Sequence, residues 1–343
     1  MVQQSTAPAR PRPAAKQPVP RAGRRVRRHA WWTPYAFLAP FLAIFGTFVA
    51  FPAVLGVWMS LHDWDYLLPN KPFVGLDNYL DLFSSATSAF SRFWDGMIAT
   101  GTFVLASVPL LIVLPLFMAL LLNRRFPGRT FMRGVIFMPY VLGVAVVGVL
   151  FRFILDPNIG ILNFLIERSG LIHVFGLFGV DAPIPWITAQ PWAWISLVGL
   201  TVWWTLGFNT IIYIAGLQDI PSDLYDAAKV DGASRRQQFR HVTLPGLRPV
   251  MVFVVTLTVL ASANMFGQSD LVTSGGPGDS TRTVLMVILD EGLGAYRMGT
   301  AAAMGYLLSV VLGIVSIINF LALRDSDRPR RRRRTSTATE GTG

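Results

Sequence analysis

Two pairs of polar side chains with helical spacing lie in otherwise apolar stretches of this sequence. Thr205 and Asn209 are four residues apart, and Asn264 and Gln268 have the same separation. On a helix, each pair would share one face. Amide groups hydrogen-bond hydroxyl groups, so these pairs could bind a neutral, polyhydroxylated ligand. The alternative is that they hydrogen-bond neighbouring helices, as Thr, Asn and Gln commonly do in membranes, and the spacing alone leaves both interpretations open.

Residues beside these pairs extend the candidate ligand path. Ser262 and Met265 lie close to the second pair, and the path is therefore predicted as Thr205, Asn209, Ser262, Asn264, Met265 and Gln268. Trp203 and Trp204 adjoin the first pair. Aromatic faces can pack on the C–H faces of a ligand, but taken alone the two tryptophans favour ordinary packing between helices.

The residue types that usually carry catalysis or bind metals are scarce. The sequence has no cysteine, and its four histidines fall in different segments without ligand spacing. It has no G-x-x-x-x-G-K-[ST] phosphate-binding loop, no G-x-S-x-G turn and no H-E-x-x-H motif. We therefore predict no catalytic residue, no metal site and no cofactor. Any movement driven by ATP would have to come from contact with another protein.

The segment 217–249 is polar, basic and punctuated by proline and glycine. Pro221 and Ser222 predict the start of a helix, because proline suits the first turn and serine is a good cap. Gly232 predicts a break after about two turns, followed by a second short helix that ends near Pro245. Such an element could insert into a groove on a soluble partner. It could equally be an amphipathic segment lying on lipid head groups, and composition does not decide between the two.

The composition is that of a membrane protein. Hydrophobic residues make up 52% of the 343 residues, and only 14% are charged, against about 25% in a soluble domain. About 20 apolar residues cross a bilayer as a helix. Six stretches are long enough, and we predict an all-α protein with six transmembrane helices near residues 35–61, 98–122, 134–155, 193–216, 250–270 and 298–322.

The basic residues predict the orientation. Of the 30 Lys and Arg residues, 24 lie in the two terminal tails and in the short connections 123–133 and 217–249. Positively charged residues concentrate on the cytoplasmic side, so both termini are expected there. We predict a permease domain over residues 35–322 with basic cytoplasmic tails, 1–34 (disordered) and 323–343. No nucleic-acid-binding motif accompanies the charges, so a nucleic-acid partner is not expected, whereas membrane lipid is.

The predicted spans hold no ionisable residue near their middle. Arg152 and Asp270 lie at span ends. Ionisable residues inside spans usually mark proton or ion pathways. This pattern argues against a proton-coupled carrier and favours an uncharged solute. A secondary transporter or channel for a neutral polar solute, working without an ATPase, remains the alternative function.

The segment from Asp226 to Pro245 resembles the coupling loop of permease subunits of ATP-binding-cassette (ABC) importers. It reads D-A-A-x-x-D-G-A-x-x-x-x-x-F-x-x-x-x-L-P, whereas the family usually begins Glu-Ala-Ala. The matching residues are Asp226, Ala227, Ala228, Asp231, Gly232, Ala233, Leu244 and Pro245. In that family the loop docks into a cleft on the ATPase, so the resemblance implies the same role here.

The resemblance extends over most of the chain between the tails. Leu38–Trp64, Phe73–Phe83, Phe137–Leu142 and Leu271–Thr283 are similar to the sugar permeases of the maltose and glycerol-phosphate type. This implies the type I importer fold in a bacterial plasma membrane and a carbohydrate cargo. The implied partners are a second permease subunit, expected to be a different chain, a dimeric ABC ATPase that binds the ATP, and an extracytoplasmic solute-binding protein. Residues near Asn264 and Met265 are implied to line the sugar site.

Overall fold

The computed structural model describes residues 32–124, 126–177 and 179–324. Within these ranges the regular structure is helical, apart from two isolated β-bridges that pair His62 with Phe73 and Asp65 with Arg297. The expectation of an all-α protein is therefore confirmed for this part of the chain. The predicted tails fall largely outside it, since the first helix begins at Thr33 and the last ends at Arg324.

The helices have the following bounds, with labels in chain order. They are α1 (Thr33–Phe45), α2 (Phe51–Ser60), α3 (Asp77–Asp81), α4 (Ser88–Leu122), α5 (Arg129–Val141), α6 (Val144–Ile154), α7 (Ile161–Arg168), α8 (Ile172–Gly176), α9 (Trp192–Asp219), α10 (Ser222–Val230), α11 (Arg235–Gln238), α12 (Leu244–Gly246), α13 (Arg248–Ala263), α14 (Gly267–Val272), α15 (Val284–Leu289) and α16 (Met298–Arg324). Three π-helical turns, Gly46–Ala50, Phe239–Thr243 and Asp290–Gly294, interrupt this series.

The described helices provide four continuous candidate spans, at Tyr35–Ser60, Ser88–Leu122, Trp192–Asp219 and Met298–Leu321. Two further candidates are bent pairs. Helices α5 and α6 meet at 93°, and residues 235–246 meet α13 at 65°. Counting each pair as one span gives up to six, which agrees with the predicted number.

The third predicted span, 134–155, is not one straight helix. Helix α5 ends at Val141, Leu142 is extended with ψ of 135°, and α6 begins at Val144. Pro139 lies in the last turn of α5, where it cannot donate a backbone hydrogen bond. The sharp turn follows directly after this proline.

The fifth predicted span, 250–270, is also broken. Helix α13 ends at Ala263 and α14 begins at Gly267. The sequence predicted that Asn264 and Gln268 share a face of one helix, and this prediction is wrong. Two side chains bind backbone oxygens at the break. Nδ2 of Asn264 donates to the Leu260 carbonyl oxygen at 2.7 Å, and Oγ1 of Thr283 donates to that of Met265 at 2.8 Å.

The chain divides into two compact units, the first ending at Ala53. The described part of the first unit is helical, with Pro40 inside α1. Of residues 35–53, none is buried. An exposed apolar helix of this kind is suited to lipid or to another protein as its surroundings.

The second unit is organised around α4 and α9, which pack along each other. Helices α13 and α15 also pack on α4, and α5 packs on α9. The closest approach of α5 to α9 is at Gly207, where a Cβ atom would clash with the carbonyl oxygen of Ile136. Only glycine lets the two backbones come this near, and small residues serve this purpose at interfaces between membrane helices.

Candidate functional site

A cavity of about 420 Å³ lies among α4, α5, α9, α13 and α14. Five of the six residues predicted for the ligand path line it, namely Thr205, Asn209, Ser262, Asn264 and Gln268. Met265 does not. Its side chain is 1% exposed and packs in a buried apolar cluster with Phe103 and Leu200. The break after Ala263 turns Met265 into the core.

The polar side chains on α9 and α13 are largely committed to bonds between or within helices. Nδ2 of Asn209 donates to the Leu111 carbonyl oxygen at 3.0 Å and to Oγ1 of Thr258 at 3.3 Å. Oγ1 of Thr205 donates to the Thr201 carbonyl oxygen at 2.7 Å. The helix-packing interpretation therefore applies to Asn209, although it also borders the cavity.

Asn264 and Gln268, at the break, have more hydrogen-bonding capacity left for a ligand than the polar residues of α9 and α13. Asn264 is exposed and uses one amide hydrogen on Leu260. Gln268 is half-buried, and its side chain has no hydrogen bond to the described residues. A ligand in the cavity would meet these two amides with bonding capacity left over.

Aromatic rings form much of the remaining wall. Tyr140 stacks on Phe208 with ring centroids 4.5 Å apart and lies 6.3 Å from Trp204. Nε1 of Trp204 donates to the Leu142 carbonyl oxygen at 3.0 Å. Trp203 instead packs on Phe151 at 5.2 Å. Trp204 therefore lines the cavity, whereas Trp203 packs against α6.

Sequence reasoning missed several cavity residues. Phe208 follows Trp204, which the sequence had already indicated, by four residues, a spacing that could have been recognised on α9. Thr258 precedes Ser262 by the same interval on α13. Tyr140 reaches the cavity because of the break between α5 and α6, for which Pro139 directly before it is the local signal.

Charge is absent from the cavity wall. The lining residues are Phe103, Leu111, Tyr140, Val144, Thr201, Trp204, Thr205, Phe208, Asn209, Leu257, Thr258, Ala261, Ser262, Asn264, Phe266, Gly267 and Gln268. Within the described structure, none of them is Asp, Glu, Lys or Arg. Burying an unpaired charge costs much more than burying a hydrogen-bonded hydroxyl, so the cavity suits a neutral solute.

The segment 217–249 folds as two short helices with a sharp turn. Helix α10 begins at Ser222, but the capping position belongs to Pro221, and no side chain caps this end. The prediction of Ser222 as a cap was wrong by one position. At the other end, Ala233 N donates to Ala228 O at 2.8 Å and Gly232 N donates to Lys229 O at 3.0 Å. This is a Schellman turn, which requires the left-handed φ of 76° found at Gly232.

The second helix of the segment begins at Arg235. Ser234 and Gln237 form a capping box for α11, which continues through the π-helical turn into α12. The Tyr225 hydroxyl lies 3.0 Å from Oγ1 of Thr243 and joins the two arms of the segment. The arms are therefore held as one body.

The tip of the segment is open to its surroundings. Among the residues matched to the coupling loop, Asp226, Ala227, Asp231, Gly232 and Pro245 are exposed, whereas Ala228, Ala233 and Leu244 are partly covered. Val230 beside them is 88% exposed. An apolar side chain presented on a rigid turn is typical of a surface that meets another protein.

The segment joins the two helices that line the cavity. Helix α9 ends at Asp219, 14 residues after Thr205, and α13 starts at Arg248, 14 residues before Ser262. At 1.5 Å per residue, each helix spans about 21 Å between the segment and the cavity. A displacement of the segment would thus reach two cavity walls through continuous helices.

A buried ionic cluster that the sequence did not reveal lies at the N-terminal end of α4. Glu291 is fully buried, and its carboxylate oxygens lie 2.8 Å from guanidinium nitrogens of Arg92 and of Arg297. Nearby, Arg282 donates to Asp290, and this bond raises the pKa of Arg282 above its ordinary value. Arg92 and Glu291, 199 positions apart in the sequence, are brought together here.

Comparisons with known proteins agree with this architecture. The chain is 31% identical over 287 residues to the trehalose/maltose transport system permease protein MalF of Thermococcus litoralis, covering 83% of this chain and 90% of the relative. It is 30% identical over 290 residues to the arabinooligosaccharides transport system permease protein AraP of Bacillus subtilis, covering 83% and 87%.

A solved structure shows the same fold. It is a bacterial ABC transporter involved in the import of the acidic polysaccharide alginate, with a TM-score of 0.72 and 24% identity, covering 87% of this chain and 96% of the matched chain. The fold is therefore that of a type I ABC importer permease. The model of the binding-protein-dependent transport system inner membrane component family matches residues 82–325. The chain belongs to that family, and it is a multi-pass membrane permease.

Proposed function

We propose that this chain forms part of the path by which a carbohydrate enters the cell, after delivery by an extracytoplasmic solute-binding protein. The observation that carries the proposal is the uncharged cavity, whose wall combines aromatic rings with the amides of Asn264 and Gln268, both of which have hydrogen-bonding capacity left. Rings pack on the C–H faces of a sugar and amides bind its hydroxyl groups. The names of the MalF and AraP relatives, which transport sugars, support the same cargo class.

The energy would come from a dimeric ABC ATPase that docks on the segment 217–249. The exposed tip at Val230 and the Schellman turn at Gly232 present a rigid surface for such a partner. ATP would be bound by the ATPase, and this chain would have neither a cofactor nor a catalytic site. A second permease subunit, a different chain, would complete the path.

The mechanism follows from the two helices that leave the segment. Closure of the ATPase dimer would move the tip, and α9 and α13 would carry that movement to Thr205 and Ser262. The cavity would alternate between access from outside and from inside. Hydrolysis would then restore the inward-facing state.

The orientation in this proposal rests on the distribution of basic residues. With 24 of the 30 Lys and Arg residues on one side, the segment 217–249 and both termini lie in the cytoplasm of a bacterial cell. The permease domain would span residues 35–322, with basic tails on either side. The ionic cluster at Glu291 then faces the outside.

The experiment has two parts. A binding screen of the cognate solute-binding protein against sugars, oligosaccharides and glycerol phosphates identifies the cargo. Uptake of the labelled cargo is then measured in cells carrying the wild-type chain, a deletion of residues 226–232, or Arg168→Ala as an exposed control on the other side. We expect the deletion to abolish uptake and co-purification of the ATPase, and the control to leave both intact.

Either of two results would refute the proposal. Wild-type uptake by the deletion variant would show that the segment does not couple the chain to an ATPase. Exclusive binding of a charged, non-carbohydrate solute by the solute-binding protein would show that the cargo class is wrong. Loss of uptake in Gln268→Ala at unchanged thermal stability would assign the cavity itself to the path.

A further inference from the structure

A second cavity, of about 710 Å³, lies between the end of α4 and the segment 217–249. Its lining residues are Leu120, Arg124, Tyr225, Arg235, Gln238, Phe239 and Thr243. Two of these are arginines, and none is acidic. The sugar path proposed above does not include this cavity, although most of its wall belongs to the segment 217–249 that is proposed to meet the ATPase.

The two arginines have no ionic partner among the residues that the structure describes. Across the described ranges, neither Arg124 nor Arg235 has a carboxylate oxygen within the 4.0 Å of an ion pair. Lys229, a few residues away, is by contrast paired with Asp226 at 2.8 Å. The cavity therefore concentrates two positive charges that no side chain of the described structure neutralises.

The other polar groups of the wall are hydrogen-bonded within the protein, so the two guanidinium groups are the main donors to a ligand. The hydroxyls of Tyr225 and Thr243 lie 3.0 Å apart on one wall, and the Gln238 amide donates to the Ala233 carbonyl oxygen at 2.9 Å. Guanidinium groups present a planar fork of donors that matches a phosphate group. Since Oγ1 of Thr243 also donates to the Gln238 carbonyl oxygen, at 3.5 Å, the two arginines supply the donors for a phosphate.

The apolar part of the wall indicates where the phosphate would come from. Leu120 belongs to the last turn of α4, a candidate span, and Phe239 faces it from the segment. Leu121 and Phe126, next to this rim, are each 38% exposed. Arg124 and Arg235 are exposed, whereas Leu120 and Phe239 are half-buried. A phospholipid would therefore place its head group at the arginines and its chains beside the apolar end of α4.

We propose that this cavity binds a phosphate-bearing anion and that an anionic phospholipid of the adjacent leaflet is its main source. The proposed orientation of the chain determines only which leaflet supplies the lipid. The binding site itself does not depend on it. The N-terminal tail is a poor occupant, since residues 1–31 contain no Asp or Glu. A bound head group would connect the end of α4 to both arms of the segment.

The test uses the full-length chain in detergent, titrated with phosphatidylglycerol or phosphatidylcholine and followed by native mass spectrometry. Arg124→Gln and Arg235→Gln remove one charge each. Arg236→Gln is the matched control, because Arg236 is exposed and adjacent but does not line the cavity. Each cavity variant should weaken phosphatidylglycerol binding about five-fold, the contribution of one arginine near an anionic lipid. The control should bind like the wild type.

A second arm distinguishes the source of the phosphate. Inorganic phosphate is titrated against chloride at equal ionic strength, so that screening stays constant. Preference for phosphatidylglycerol with the expected arginine dependence supports the lipid. Binding of inorganic phosphate with that dependence, without lipid preference, supports the site but assigns a soluble ligand and overturns the lipid as its source.

Two outcomes overturn the site itself. One is binding of both probes by Arg124→Gln and Arg235→Gln at the wild-type level. The other is an equal loss in Arg236→Gln, which would mean diffuse surface attraction. Arg124→Lys keeps the charge and should retain most of the lipid binding, and melting temperatures verify that each variant is folded.

Discussion

Glu291 and Arg92 lie 199 positions apart in the sequence, yet their side chains form an ion pair of 2.8 Å that fixes the first turns of α4 to the segment before α16. The carboxylate is fully buried, whereas the two arginines that contact it are each 42% exposed. The buried charge of Glu291 is therefore stabilised by the charges of both arginines.

Removing both arginines should destabilise the protein strongly. In Arg92→Ala/Arg297→Ala, Glu291 would remain buried without a cation, and we expect a loss of about 3–5 kcal/mol. The measurement is the free energy of unfolding in detergent. The single variants should lose less, because one cation remains.

Arg168→Ala is the control for this pair. Arg168 is exposed and has no ion pair with any residue in the described ranges. Its removal should change stability by about 0.5 kcal/mol or less. A double variant as stable as this control would show that the cluster does not hold the two segments together.

Substitutions at Gly232 and Gly128 separate the effect of backbone strain on stability from the effect of the turn on coupling to the ATPase. Both are glycines with left-handed φ angles, 76° and 84°, and a Cβ atom at either would meet no neighbour within 4 Å. An alanine at either position should therefore lower the stability by about 1–2 kcal/mol through local backbone strain. We expect only Gly232→Ala to lower uptake, because only that turn shapes the tip proposed to meet the ATPase.

The comparison is decided by transport measured at matched expression. Equal uptake by the two alanine variants would mean that the geometry of the turn is unimportant for coupling. A fall in both would point to general destabilisation and not to the tip.

Gly207 and Gly199 provide a similar pair on α9. At Gly207 a Cβ atom would clash with Ile136, whereas at Gly199 it would meet nothing within 4 Å. Gly207→Ala should force α5 away from α9 and cost about 1–3 kcal/mol as an overpacking change. Gly199→Ala should be neutral or stabilising by up to about 1 kcal/mol, since alanine is the better helix former. Thermal melting of the purified chain tests both, and equal melting temperatures would contradict the close approach.

Asn209 and Thr258 test the two interpretations of the polar residues in the spans. If the 3.3 Å contact is a helix-packing bond, a double-mutant cycle with Asn209→Leu and Thr258→Val should give a coupling energy of about 0.6 kcal/mol. Additive effects on stability, together with a loss of uptake, would favour a ligand-binding role for Asn209 instead.

The sequence predicted the features that depend on local composition. Span positions follow from runs of apolar residues, and the turn at Gly232 follows from the preference of a helix end for glycine. Pattern matching also located five cavity residues, although the reason given for Asn264 and Gln268 was wrong, since they lie on either side of a break. Their common position depends on how α14 folds back.

Features that depend on long-range packing could not be predicted. Nothing near Met265 distinguishes a core side chain from a cavity side chain, because the break in the helix between Ala263 and Gly267 decides its direction. Glu291 looks like an ordinary loop acid until Arg92 is brought beside it. Such contacts join residues far apart in the chain, and single-sequence periodicity carries no information about them.

The break between α13 and α14 has a consequence for how this cavity can change over evolutionary time. At the end of α13 the carbonyl oxygens of Leu260 and Ser262 accept hydrogen bonds from the backbone N–H groups of Asn264 and Met265, so main-chain atoms hold the break in place. Substitutions cannot remove those atoms. A lineage could therefore exchange the rings and amides around the break to suit another solute while inheriting the same main-chain hydrogen-bonding groups unchanged.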